Sequence, residues 1–228
     1  MLSGWIFMVE KTKGTLFKMS KNSREVAEET KRHIMQTALD LFYRHGVPGV
    51  TLAEIARESG FTRGAIYCHF SSKSQMLQEM VKSSSDHLFE EIEKAIVPGK
   101  TPLDNLFNIS YSLFKKIEEN PDLGLLVKVL FYSIHLFEEP GLRKTMESLF
   151  EKRNEINRSL LVKAIETGEM DKDTDIELVC CCLTSFNQGL LMDWIMDQNP
   201  PTSGKRKFST LYVSDALSLF LDGFRKHS

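Results

Sequence analysis

Prolines fall at 48, 98, 102, 121, 140, 200 and 201. A proline inside a helix removes a backbone hydrogen bond and clashes with the preceding turn, so these positions mark where helices must stop or start. The long intervals between them contain no comparable breaker. Within those intervals apolar residues recur every three to four positions, and no run alternates convincingly with period two. The 13 glycines and 7 prolines among 228 residues fall below the roughly 12% of average usage. The chain therefore reads as all-α, with about nine helices. Its 42% hydrophobic and 26% charged residues, with a formal net charge of −2, exclude wholesale disorder and a polybasic protein.

The four cysteines, Cys68, Cys180, Cys181 and Cys182, do not form a disulfide framework. Successive side chains on a helix diverge by about 100°, and the spacing is not that of a zinc site. They read as small buried residues of a reducing, cytoplasmic compartment. No metal and no cofactor is expected. The longest uncharged run, Leu178 to Met192, includes Asn187 and Gln188. It is too short and too polar to span a bilayer, so no membrane partner is expected. Residues 1–22 show no sustained period and are predicted to be a poorly ordered extension, with Met19 fitting as the natural start.

From residue 23 the pattern is helical. Ile34, Ala38, Leu41 and Phe42 form one apolar stripe on a first helix of about 24–45, ended by Gly46-Val47-Pro48-Gly49. Thr51 and Glu54 make a capping box that opens a short second helix. Gly60 suits the left-handed end of that helix, and Thr62 caps a third helix running to about Phe70. Ser72 and Gln75 make a further capping box opening a helix from Lys73 to about Val97. Three short helices, the last two joined through Gly60, describe a helix-turn-helix over 23–72. A C-terminal domain follows over 73–228, with helices predicted at about 102–119, 122–137, 141–167, 173–198 and 208–226.

The third helix carries the residues a recognition helix needs. Thr62 and Arg63 stand at its N-terminus, the end presented to base edges. Arg63 can hold guanine O6 and N7 as a bidentate pair. Gly64 costs about 1 kcal/mol in a helix relative to alanine, which close backbone approach to DNA would offset; Ala65 beside it completes that stretch. Tyr67 and His69 can donate to phosphate, Lys73 adds charge at the next helix start, and the Thr51 hydroxyl can reach phosphate from the second helix. Ile66 and Phe70 face the core. From Met19 to Lys82 nine Lys and Arg stand against seven acids. That excess is too weak for avid binding by one head, and two heads acting together remedy it. On this reading Lys73→Ala weakens binding to all sequences.

The string TLAEIARESGFTRGAIYCHFSSKSQML resembles the DNA-binding segment of the TetR family of bacterial transcription regulators, especially its AcrR-like branch. The likeness begins near Ser20 and runs through Leu77. DIELVCCCLTSFNQGLLMDWI is similar to the penultimate helix of the AcrR-like ligand domain. The resemblance implies a homodimer on a palindromic double-stranded DNA operator, with the last two helices pairing with their counterparts. Cys182, Ser185 and Gly189 form a small-residue strip for that contact, joined by Leu217, Phe220, Leu221 and Phe224. It also implies a cavity for a small apolar effector. Candidate walls are Phe89, Phe107, Tyr111, Phe114, Phe131 and Phe186, with Ser110 and His135 as polar groups. The chain departs from the branch at Ser83-Ser84-Ser85-Asp86, where some members carry a buried glutamate, and at Cys68, where members often carry a contact residue.

The expected function is that of a ligand-responsive repressor, for instance of a multidrug efflux operon. An activator or metabolic sensor of the same fold, or a helical ligand-binding protein that no longer engages DNA, are the alternatives. No Walker A loop, G-x-S-x-G, H-E-x-x-H or dinucleotide fingerprint is present, so no catalytic residue is assigned.

Overall fold

The computed structural model describes residues 3–133, 139–197 and 209–226, with side chains from residue 25 onward. Among the described residues there are nine helices and no strand. They are α1 (Ser3–Gly49), α2 (Leu52–Ser59), α3 (Arg63–His69), α4 (Lys73–Ala95), α5 (Pro102–Glu119), α6 (Pro121–Tyr132), α7 (Pro140–Glu166), α8 (Ile176–Asp197) and α9 (Thr210–Asp222). The chain divides into two compact units, Met1–Met76 and Leu77–Ser228.

In the N-terminal unit the apolar stripe of α1 is buried as its spacing requires: Ile34, Ala38, Leu41 and Phe42 meet solvent hardly at all, and neither do Ile55, Ala56, Ile66 and Phe70. Helical geometry fails at Gly46, whose φ of 71° interrupts α1 where the sequence predicts its end. Upstream the structure differs from expectation. The helix begins at Ser3, ahead of the start predicted near residue 24. The intervening stretch contains no proline, and each residue added to an existing helix gains a hydrogen bond without a new nucleation cost.

The C-terminal unit is organised by α5, which contributes to three apolar clusters in turn. Leu103, Leu106 and Ile109 pack with Ile92 of α4, Leu160, Leu161 and Ala164 of α7, Val179 and Leu183 of α8, and Leu221 of α9. Phe114 packs with Leu190, Val213 and Leu217. Ile117 packs with Leu123, Trp194 and Ile195. The α9 end is tied down by Arg225, which pairs with Asp104, Glu169 and Asp222. Glu169 also accepts from Thr101 Oγ1 at 2.6 Å and Leu103 N at 3.0 Å. Burial works against the Arg225 charge, but its carboxylate partners more than offset this and hold the guanidinium pKa above its usual value.

Several helix ends differ from the predicted ones. Helix α8 starts at Ile176 rather than 173, because the Asp175 carboxylate accepts from Leu178 N at 3.1 Å and Asp171 captures Asp173 N at 3.0 Å. Short acidic side chains that bond nearby amides hold a turn in competition with helix. Helix α6 closes at Tyr132, where Ser133 N donates back to Leu130 O; its predicted continuation lies outside the described residues. The cysteines are free, as expected, but Cys68 and Cys181 are exposed and only Cys180 is fully buried. The 100° step between successive residues lets one of the three consecutive cysteines face the core.

By length and composition alone Ile176–Met196 could cross a membrane, although a third of that window is buried in the protein. It also carries Glu177 and Asp193. Gly124 of α6 lies tightly against its neighbours: a Cβ there would sit 3.0 Å from Trp194 Cη2 and 3.2 Å from Ile117 O. Gly124→Ala is expected to destabilise the protein by about 1–3 kcal/mol through overpacking, outweighing the helix-propensity gain of about 1 kcal/mol. A thermal melt of the variant checks this, and an unchanged or higher midpoint would show that Trp194 can step aside.

Candidate functional site

The two short helices of the N-terminal unit are fixed by their ends. Glu54 N donates to Thr51 Oγ1 at 3.1 Å, while Thr51 N donates to Glu54 Oε2 at 2.9 Å, a complete capping box. These bonds from the Thr51 amide and hydroxyl hold the Glu54 carboxyl below its usual pKa, with Arg57 and His45 adding smaller attraction. Gly60 takes a φ of 75° and closes α2. Thr62 Oγ1 then accepts from Ala65 N at 3.2 Å and opens α3. Further on, Gln75 N donates to Ser72 Oγ, but the Gln75 side chain reaches Ser71 rather than Ser72, so the second predicted box is half formed.

With its ends fixed, α3 buries Ile66 completely and leaves Arg63, Gly64, Tyr67 and Cys68 exposed. At 100° per residue these four positions share one arc of the helix surface. Tyr67, 61% exposed, contributes nothing to the core. Thr62 stands exposed beside them, while Ala65 and His69 are half-buried on the flanks. Arg63 also borders an open concavity of about 340 Å³ lined by Thr51, Ala53, Glu54, Ala56, Arg57 and Phe61. Arg57 was not among the predicted residues. Its placement on the last turn of α2, beside the Gly60 turn, was the available signal. It pairs with Glu58 at 3.0 Å on the surface.

Two predicted contacts are corrected. The Lys73 ammonium donates to Val47 O and Val50 O at 2.6 Å each and to Pro48 O at 3.3 Å. Its three protons are thus occupied in holding the α1–α2 turn, and it is no free phosphate ligand. Lys73→Met should cost the fold about 1–3 kcal/mol by leaving carbonyls unsatisfied. The check is a lowered melting temperature; a variant of unchanged stability whose DNA binding loses salt dependence would restore the phosphate role. Thr51 likewise spends its hydroxyl proton on Glu54 Oε2 at 3.1 Å. The start of α2 is capped by the protein's own carboxylate.

In the C-terminal unit, Phe107, Ser110, Tyr111, Phe114 and Phe186 come together around α5, α8 and α9. Phe107 stacks on Tyr111 with ring centres 5.8 Å apart, and Ser110 accepts from Asn187 Nδ2 at 3.3 Å. Phe131 does not join them, whereas Phe89 packs with Phe107 against the larger cluster of α5, α7 and α8. Phe89 lies under Lys152 Nζ at 3.9 Å, and Phe131 packs in the Trp194 cluster. His135 lies outside the described residues. Among the described residues, Oδ1 of Asn187 and Nε and Nη2 of Arg153 are shielded from solvent without a hydrogen-bond partner. Arg153 was not predicted, although its place on the inward stripe of α7 is legible from the helical period.

The predicted dimerisation residues separate into two sets. Leu217 and Leu221 are buried in the protomer's own core, and Phe220 stacks on Phe186 at 4.4 Å with Phe224 edge-on to it. Leu217 and Leu221 therefore face the protomer's own core, while Phe220 and Phe224 stay half-buried beside Phe186. Ser185 and Gly189 are exposed, with Cys182 partly so. They lie with exposed Leu178, Met192 and Met196 along α8, and α9 adds Leu211 and Leu219, the latter 80% exposed. A Cβ on Gly189 would meet nothing within 4 Å.

The model of the bacterial regulatory proteins of the tetR family matches residues 34–80, the segment holding α2, α3 and their caps. That segment of the chain is thus similar to the DNA-binding part of tetR-family regulators. The chain is 28% identical over 206 residues to the HTH-type transcriptional regulator AcrR of Shigella flexneri, covering 89% of the chain and 94% of that protein. Among solved structures, the SmeT–triclosan complex superposes with a TM-score of 0.70 at 21% identity over 88% of the chain and 93% of that one. NalD, the secondary repressor of the MexAB-OprM multidrug efflux pump in Pseudomonas aeruginosa, superposes with a TM-score of 0.70 at 20% identity over 87% and 98%.

Proposed function

We propose that this protein is a cytoplasmic, homodimeric TetR-family repressor that leaves its operator when a small molecule occupies its C-terminal unit. The exposed arc of Arg63, Gly64 and Tyr67 carries the reading. A short helix that presents a guanidinium and an aromatic hydroxyl away from its own core has side chains suited to the major groove and its phosphates. The exposed stripe of α8 and α9 supports the dimer, since a glycine at 189 serves nothing inside the protomer yet lets a second helix approach closely. Two heads double the phosphate contacts that one weakly basic head lacks.

Helix α4 is continuous from Lys73 to Ala95 and so links the two units covalently, which makes it the natural lever. Moving such a dimer from 1:99 to 99:1 requires about 5.5 kcal/mol of differential ligand affinity, shared over two sites. The relatives support an efflux operon as the target: SmeT is known in complex with triclosan, and NalD represses an efflux pump. The test is a gel shift of DNA upstream of the protein's own gene at low and high salt. A saturable, salt-sensitive shift on that fragment is expected. Absence of any shift at low salt would leave a ligand-binding protein that no longer engages DNA.

A further inference from the structure

Helical period places positions 142, 153, 157, 160, 161 and 164 on one face of α7. Leu142, Asn157, Leu160, Leu161 and Ala164 are buried there. The remaining member of the face is Arg153, which is half-buried. Its neighbours fix which way that face points. Lys152 lies over Phe89 of α4 at 3.9 Å, and Asn154 accepts from Thr184 of α8 at 3.3 Å. Arg153 falls between these two in angle. Its guanidinium lies beside the Phe150 ring at 5.4 Å, with Nε and Nη2 shielded from solvent and donating to nothing.

Such an arrangement is costly for a free protomer. Arginine keeps its proton in proteins, so it cannot escape burial by becoming neutral. Burial pushes its pKa downward, with no partner to counter the shift. A buried cation is ordinarily paired, yet among the described residues no aspartate or glutamate is buried. On α4, Ser85 is buried and donates to Lys82 O at 2.7 Å, so it supplies no negative charge. Arg153 is half-buried beside the exposed Phe150, so an uncompensated positive charge stands at the edge of this unit's core.

We infer that the C-terminal unit takes an amphipathic carboxylate whose anionic head seats on the Arg153 guanidinium and whose apolar body lies against the surrounding aromatic side chains. This deepens the sensor reading and rests on it. The planar fork of arginine matches a carboxylate in two parallel hydrogen bonds, and the pair forms where water does not compete. A cationic ligand is disfavoured by the same charge.

The test titrates the full-length protein with decanoate, decanol and decyltrimethylammonium below their micellar concentrations, by calorimetry. Decanoate is expected to bind at least about tenfold more tightly than decanol, from the added charge-assisted bonds, with the ammonium weakest. In Arg153→Met that preference should collapse to within about twofold, and the unliganded variant should melt higher because an unpaired, half-buried charge is gone. Arg153→Lys keeps the charge and should keep the preference in reduced form; if the Met variant does not fold, this comparison with the parent protein decides. Wild-type protein that binds the alcohol or the ammonium as tightly as the carboxylate, or binds none of the three, overturns the inference. So does an Arg153→Met variant that melts lower and keeps the preference. A gel shift on the same preparation separates the two readings, since loss of DNA binding strikes the regulator while leaving the ligand preference readable.

Discussion

Leu219→Glu is expected to leave a folded protomer that binds its operator about 10²–10⁴-fold more weakly. The leucine is 80% exposed, so a carboxylate there costs the protomer little; surface substitutions away from packed features stay within about 0.5 kcal/mol. In the proposed dimer the same carboxylate enters an apolar helix interface twice, once from each copy, where an unpaired charge is strongly disfavoured. Once the dimer is lost, the second head no longer binds as an intramolecular partner, and avidity gains of about 10²–10⁴ go with it. Sedimentation and a circular dichroism melt together provide the check: a monomer with an unchanged melting profile is the expected pair. A variant that remains dimeric at micromolar concentration would place the interface elsewhere.

Arg63→Ala should abolish most of the discrimination between the operator and unrelated DNA. Each bidentate arginine–guanine contact is worth about 1–3 kcal/mol, and a dimer makes two, so about 2–6 kcal/mol of preference is at stake. Total affinity falls less, because nonspecific binding loses one charge per head and the salt slope flattens by about two for the dimer. Arg63 is exposed and takes no part in the core, so the melting temperature should not move. The measurement is a competition gel shift between operator and scrambled fragments at two salt concentrations. Equal weakening on both fragments would reduce Arg63 to a phosphate contact. The contrast with Lys73→Met is deliberate: that change acts through the α1–α2 turn and shows first in stability.

The roles of these two basic residues mark where reading the sequence stops being enough. Both stand next to a helix start in a string that suits DNA. Arg63 remains exposed, while Lys73 spends its ammonium on Val47, Pro48 and Val50, residues more than twenty positions away. Spacing along a helix cannot reveal a partner that arrives from another turn of the chain. The same holds for Thr51, whose capping box was legible but whose consequence, a hydroxyl already committed to Glu54, needed the geometry.

The amino-acid order by itself determined the all-helical class, the caps at Thr51, Gly60 and Thr62, and the inward placing of Ile66 and Phe70. Each of these depends on residues within about four positions of one another, the reach of a helical turn. Tertiary structure decided which stripe of a two-faced helix is core. On α9 the more apolar stripe, Leu217 and Leu221, turned inward, leaving Leu211 and Leu219 on the surface. It also decided that Nε and Nη2 of Arg153 on α7 are shielded from solvent with no hydrogen-bond partner. Local periodicity specifies faces but not their neighbours, and burial, pairing and charge compensation are properties of neighbours that only the folded chain brings within contact.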